Sequence, residues 1–121
     1  MAKLTVKYFS ECLARHTTFE MYLPNDVRAS LPWEQGENPY RKRPMKTLFL
    51  LHGYTGSADN YVPEYLSEQY NFAVIAPNGE NGFWLDGIST GHKFGTFVGC
   101  ELVEYVRKTF GLANTPDETY V

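Results

Sequence analysis

The sequence predicts an α/β fold on a mixed sheet, an antiparallel β-hairpin followed by a parallel βαβ unit. Three observations carry the prediction. Two segments near the amino terminus alternate apolar and polar residues, the period of half-buried strands. Two later runs, Thr47 to Leu51 and Asn71 to Ala76, are continuous and apolar, as in strands covered on both faces. A stretch compatible with a helix lies between those runs, which completes strand, helix, strand within about 30 residues.

The elements follow in order. Leu4-Thr5-Val6-Lys7-Tyr8 is the first alternating strand. His16 to Leu23 is rich in β-branched and aromatic residues and puts Phe19, Met21 and Leu23 on one face. Pro24-Asn25-Asp26 ends it. Residues 25 to 46 are polar, broken by Pro32, Gly36, Pro39 and Pro44, and read as a surface connection. It closes with Arg41-Lys42-Arg43, expected to be a solvated cluster beside a hydrophobic strand. Thr47 to Leu51 is the next strand. A helix is expected over Tyr61 to Tyr70, capped by Ser57 or Asp59, with Pro63 in its first turn. Pro77-Asn78-Gly79 closes the strand at 71 to 76, and an irregular, glycine-rich stretch runs to Gly91. A long helix is expected from His92 to Phe110, with Val98, Leu102, Tyr105, Val106 and Phe110 as its apolar face. Gly111 is placed to end it. After the turn at Thr115-Pro116-Asp117, Thr119-Tyr120-Val121 reads as the start of a third parallel strand.

Composition bounds the function. A chain of 121 residues predicts a single domain over 1–121 with one core. An aromatic content of 16% excludes a disordered chain, and a net charge of −3 argues against a nucleic-acid partner. Two cysteines, Cys12 and Cys100, are too few for a disulfide scaffold and fit a reducing compartment. There is no apolar run near ~20 residues for a membrane span. The opening Met1-Ala2-Lys3-Leu4 lacks the apolar region of a secretory signal, so a cytoplasmic location is expected.

The stretch that points to chemistry is Leu48-Phe49-Leu50-Leu51 running into His52-Gly53-Tyr54-Thr55-Gly56. A glycine at the carboxyl end of a parallel strand lets the backbone bend and approach a ligand. Sites in open α/β sheets gather at those ends. Free N–H groups there can stabilise a developing oxyanion if a nucleophile reaches the same point.

Three segments together resemble a known family. They are Phe49 to Ser57, Ile75 to Phe83 and Glu101 to Phe110. In this order they are similar to the esterase D, tributyrin esterase and S-formylglutathione hydrolase type of α/β-hydrolase. The resemblance implies a three-layer sandwich, of which residues 1–121 are the amino-terminal half. It implies a serine carboxylesterase acting by acyl transfer on a small ester, with no cofactor and no metal. The nucleophile elbow, the acid and the histidine base would follow Val121. By the same resemblance, the backbone N–H of Tyr54 is the oxyanion donor, while His52 and Gly53 shape its turn. Thr55, the Tyr54 side chain and the pair Phe83-Trp84 are expected to border the substrate. Acetyl or feruloyl esterase and acyltransferase chemistry share the fold.

Two decoys are set aside. Gly87-Ile88-Ser89-Thr90-Gly91 matches the G-x-S-x-G pattern, but Phe83-Trp84-Leu85 is too short a lead-in for a buried strand. No histidine follows His92, against the order serine, acid, histidine. A local trio of Asp86, Ser89 and His92 is too close in sequence for triad geometry; Asp86 and Ser89 are expected to cap the helix or bond the loop. His52 is expected to be packed with both ring nitrogens bonded to backbone, His16 to be solvated, and Cys100 to be a small core residue. A contrasting expectation is a non-catalytic assembly module. Without a neighbour for Leu48 to Leu51, that apolar strand would pair with a second chain and give a homo-oligomer.

Overall fold

The computed structural model describes residues 1–24, 38–59 and 64–121. Strand β1 (Ala2–Ser10) pairs antiparallel with β2 (Arg15–Leu23), placing Val6 opposite Phe19 and Leu4 opposite Met21. Next, β3 (Lys46–Phe49) and β4 (Phe72–Pro77) lie side by side and parallel. The last strand, β5 (Thr119–Tyr120), runs parallel to β3 on its other side. One five-stranded mixed sheet results, in the order β1-β2-β4-β3-β5. The hairpin, the parallel pair and the closing strand all match the sequence expectation.

The two-residue period of these strands divides the sheet into two faces. Phe19, Met21, Phe49 and Ile75 share one face and join Phe94, Phe97, Leu102 and Val106 in the main core. Burying each such side chain contributes about 1.5–3 kcal/mol. Tyr22, Val74 and Ala76 are buried by the alternate register. Helix α1 (Glu64–Tyr70) packs on β4 and β2. The start of the expected helix, including Pro63, lies outside the described residues, as do 25–37.

The long carboxyl-terminal helix departs from regular spacing. It begins at Phe94 rather than His92, as α2 (Phe94–Thr96), continues through a π-helical turn (Phe97–Glu101) and ends as α3 (Leu102–Phe110). The Leu102 N–H bonds Phe97 O, a five-residue step that keeps both fully buried side chains on the core side. Cys100 is consequently exposed, not a core residue as expected. Gly111 ends α3 in the left-handed region at φ 66°, and its N–H bonds Arg107 O.

Two further expectations are corrected. The strand after residue 46 does not lack a neighbour: β3 sits inside the sheet, and the outer edge on that side is β5. The basic cluster is not wholly solvated. Arg43 donates to Tyr70 O at 2.7 Å and lies over the rings of Tyr40 and Phe72, so it joins the 3-10 turn Pro39–Lys42 to the end of α1.

Candidate active site

Beyond β3 the chain keeps one more sheet bond, Leu50 N–H to Ile75 O at 2.8 Å, and then turns away. His52 is buried at the turn, 9% exposed. Gly79 donates its backbone N–H to His52 Nε2 at 2.9 Å. An imidazole nitrogen that accepts carries no proton, so the ring is neutral and its proton sits on Nδ1. That nitrogen then donates to Gly53 O at 2.9 Å. Both ring nitrogens are bonded to backbone, as the sequence suggested, and neither is available as a general base.

Gly53 O also accepts from Gly56 N–H at 3.0 Å. Two donors therefore fix the carbonyl of the Gly53–Tyr54 peptide. Across a planar trans peptide the N–H points opposite to the carbonyl. The Tyr54 N–H is thus turned away from His52, and among the described residues it has no acceptor. Beside it lies a cleft of about 120 Å³ lined by His52, Gly53, Tyr54, Glu80, Asn81, Phe83 and Trp84.

The Gly53–Gly56 bond closes a β-turn with Tyr54 and Thr55 at its centre. Thr55 has φ 63° and Tyr54 is not in the left-handed region, the signature of a type II turn. Gly53 itself has no positive φ, and a Cβ on it would meet nothing within 4 Å. The strained residue of the turn is Thr55. Gly53 instead leaves space open beside the cleft.

The loop after β4 supports this turn from the side. Trp84 donates its indole N–H to His52 O at 3.0 Å, and its ring lies where a Cβ on Gly79 would fall, 2.5 Å away. Trp84 is therefore a strut under the turn as well as part of the cleft lining. Phe83 stacks on the Tyr54 ring at 5.5 Å and 10°. Both rings are about two-thirds exposed, so they form an open aromatic wall. Glu80, Phe83 and Trp84 all have positive φ, an uncommon density of strain for non-glycine residues.

Sequence reasoning missed two side chains. Asn81 Oδ1 accepts the Thr55 N–H at 3.0 Å. Asn78 Oδ1 accepts the Ala58 N–H at 2.9 Å, while its Nδ2 donates to Thr18 Oγ1 at 2.9 Å. The only available signal was the turn composition of 77 to 82, in which asparagines read as local turn formers.

The decoys fall away on geometry. Asp86 accepts the Thr96 N–H at 2.8 Å and the Thr96 hydroxyl at 2.6 Å. Those bonds hold its carboxyl below the usual range and leave it capping the helix rather than orienting His92. Ser89 is exposed in a loop, and its carbonyl accepts the His92 N–H at 3.3 Å. A hollow of about 630 Å³ beside Ser89 is larger than the cleft at Tyr54, but among the described residues no side chain hydrogen-bonds the Ser89 hydroxyl, and Asp86 in its lining is taken by Thr96.

No protein-family model matches the chain. An acetyl esterase of Caldicellulosiruptor saccharolyticus is 34% identical over 126 residues, covering all of this chain and 46% of that protein. The chain is thus similar to part of an esterase-type α/β-hydrolase and shares the fold of those enzymes. The S-formylglutathione hydrolase of Staphylococcus aureus superposes with a TM-score of 0.71 at 24% identity, covering 98% of this chain and 45% of its own. A ferulic acid esterase of Anaeromyces mucronatus gives 0.64 at 11% identity, with 98% and 46% covered. The chain thus spans about half the length of the proteins it matches.

Proposed function

We propose that residues 1–121 form the oxyanion-hole side of a serine carboxylic-ester hydrolase whose nucleophile, acid and base are supplied by sequence outside them. The observation that carries this is the locked Gly53–Tyr54 peptide. Its carbonyl is held by His52 and Gly56, its N–H has no acceptor among the described residues, and Gly53 and Tyr54 both line the cleft at the carboxyl end of β3, which supports a role for that N–H as oxyanion donor. In the reaction, a serine oxygen attacks the ester carbonyl and passes its proton to the base. The carbonyl oxygen gains negative charge and accepts the Tyr54 N–H. Collapse expels the alcohol, which takes the proton from the base; water then attacks the acyl-serine and releases the acid. One such donor contributes roughly 3–4 kcal/mol of barrier lowering in a complete site.

Thr55, the Tyr54 ring and Phe83 border the substrate, with Trp84 beneath. The relatives favour acetyl and feruloyl esters as the first substrates to try. The free thiols of Cys12 and Cys100 support a reducing, cytoplasmic setting. No helix among the described residues is long and apolar enough to cross a membrane. A homo-oligomer, the contrasting proposal, draws on the β5 edge, where Tyr120 and Val121 are 42% and 87% exposed. Light scattering that gives a multiple of the chain mass supports it.

The test of the hydrolase assignment is p-nitrophenyl acetate hydrolysis. The protein encoded by the reading frame that contains this chain should turn over with a burst and be silenced by a fluorophosphonate. The 121-residue chain alone should not exceed buffer. Turnover by the short chain that Ser89→Ala abolishes overturns the assignment.

A further inference from the structure

We infer that Asn81 is the positioning residue of the Gly53–Gly56 turn, holding Thr55 in its strained conformation so that the Tyr54–Thr55 peptide keeps its type II orientation. The importance of that turn for catalysis rests on the function proposed above; the structural role does not.

The central residue Thr55 occupies the position of a type II turn that favours glycine or asparagine, because φ must be positive. A β-branched residue is poorly suited to that region. Left alone, the same four residues relax to a type I turn, in which the Tyr54–Thr55 peptide flips over and Thr55 returns to negative φ. The flip reverses the Thr55 N–H. In this structure that N–H is captured by Asn81 Oδ1 at 3.0 Å. A backbone N–H can only donate, so the carboxamide must present its oxygen here.

The other ties to the turn grip its entry side. Gly79 and Trp84 bond His52, and His52 bonds Gly53. Phe83 holds the Tyr54 ring but no backbone atom of it. Among the described residues, Asn81 alone accepts from the central peptide, so it decides between the two turn forms. Asn81 itself is placed by a loop whose neighbours Glu80 and Phe83 are also left-handed. Strain on one side of the cleft is thereby balanced by a bond from the other.

The test is double-resonance NMR of the 121-residue chain carrying Asn81→Ala, Asn81→Asp, and Asn81→Ala combined with Thr55→Gly. In Asn81→Ala the Thr55 amide should exchange with solvent about tenfold faster, and the Tyr54 amide resonance should move. Asn81→Asp keeps an acceptor and should retain both signals. Adding Thr55→Gly removes the strain, so the type II turn and the Tyr54 shift should return without any Asn81 bond. Unchanged Tyr54 and Thr55 amides in Asn81→Ala, or no return with Thr55→Gly, overturn the inference. Altered amides in an encoded protein that hydrolyses no ester uphold the positioning role and instead remove the proposed function.

Discussion

Gly79 and His52 are joined by a bond from the Gly79 N–H to the buried Nε2 nitrogen, across 2.9 Å. It fixes the imidazole tautomer and, through Nδ1, the peptide that presents Tyr54. Replacing His52 by alanine leaves the Gly79 N–H without its acceptor in a buried place. The expected loss is about 1–3 kcal/mol of unfolding free energy, read from urea denaturation. A midpoint matching the parent within error speaks against the bridge.

The same corner is crowded by the Trp84 ring. A methyl at Gly79 would lie 2.5 Å from its Cη2 atom. The ring has little freedom to retreat, because its N–H is held by His52 O. Gly79→Ala should cost about 1–3 kcal/mol, the scale of overpacking, and alter the near-ultraviolet circular dichroism. Retention of both the parent stability and the parent spectrum contradicts this packing.

Gly53 is the opposite case. Neither its φ nor any neighbour forbids a methyl. Gly53→Ala should therefore leave stability within about 0.5 kcal/mol of the parent. Under the proposed function, the methyl borders the substrate cleft, and kcat/KM of the longer protein for p-nitrophenyl acetate should fall about tenfold or more. A large loss of stability, or unimpaired turnover, counts against an open cleft at Gly53.

The strands were legible in the sequence because their signals are local. Alternation marked the hairpin, and the continuous apolar run at 71 to 76 marked a strand covered on both faces. The β-branched and aromatic residues at 119 to 121, following the turn at Thr115-Pro116-Asp117, sufficed to suggest β5. The π-helical turn was not legible: Val98, Leu102, Val106 and Phe110 satisfy an ordinary helical period, and only tertiary packing of Phe97 decides for the wider step. The site was half legible. His52 and Tyr54 stand next to the glycine and strand end that mark such turns. Asn81 and Asn78 act on the turn from 26 and 20 residues away, through single hydrogen bonds. No periodicity records a contact of that kind.

The two thiols should separate chemically. Cys100 is exposed, whereas Cys12 is half-buried beside Glu101. Burial, and then the Glu101 carboxylate, push the Cys12 thiol up to about 11. The thiolate is the reactive form, so at pH 8 a disulfide reagent should titrate Cys100 quickly and Cys12 slowly. Two equal fast phases in the folded protein contradict this placement.

Glu101 gives the chain a pH dependence whose sign follows from its partners. Burial alone would raise its carboxyl. The Ser10 hydroxyl, the Cys12 amide and thiol and the Tyr8 hydroxyl donate to it, and together they hold it below the ordinary value. Tyr8 is itself pushed well above the usual phenol range by burial and then by this carboxylate, so it stays a donor. A depressed native carboxyl means that the unfolded chain binds the proton first. Its stabilisation is therefore complete above the unfolded glutamate value, about pH 4.3, and is lost as pH falls through the lower native one. Glu101→Gln should cost about 1 kcal/mol at pH 7, discounted for the partial exposure of the site. The gap between variant and parent should narrow as pH falls below the unfolded value, about 4.3, and the parent carboxyl gains its proton. Urea midpoints at pH 7 and on the acid side of that value measure it, and a gap that widens on acidification reverses the assigned sign.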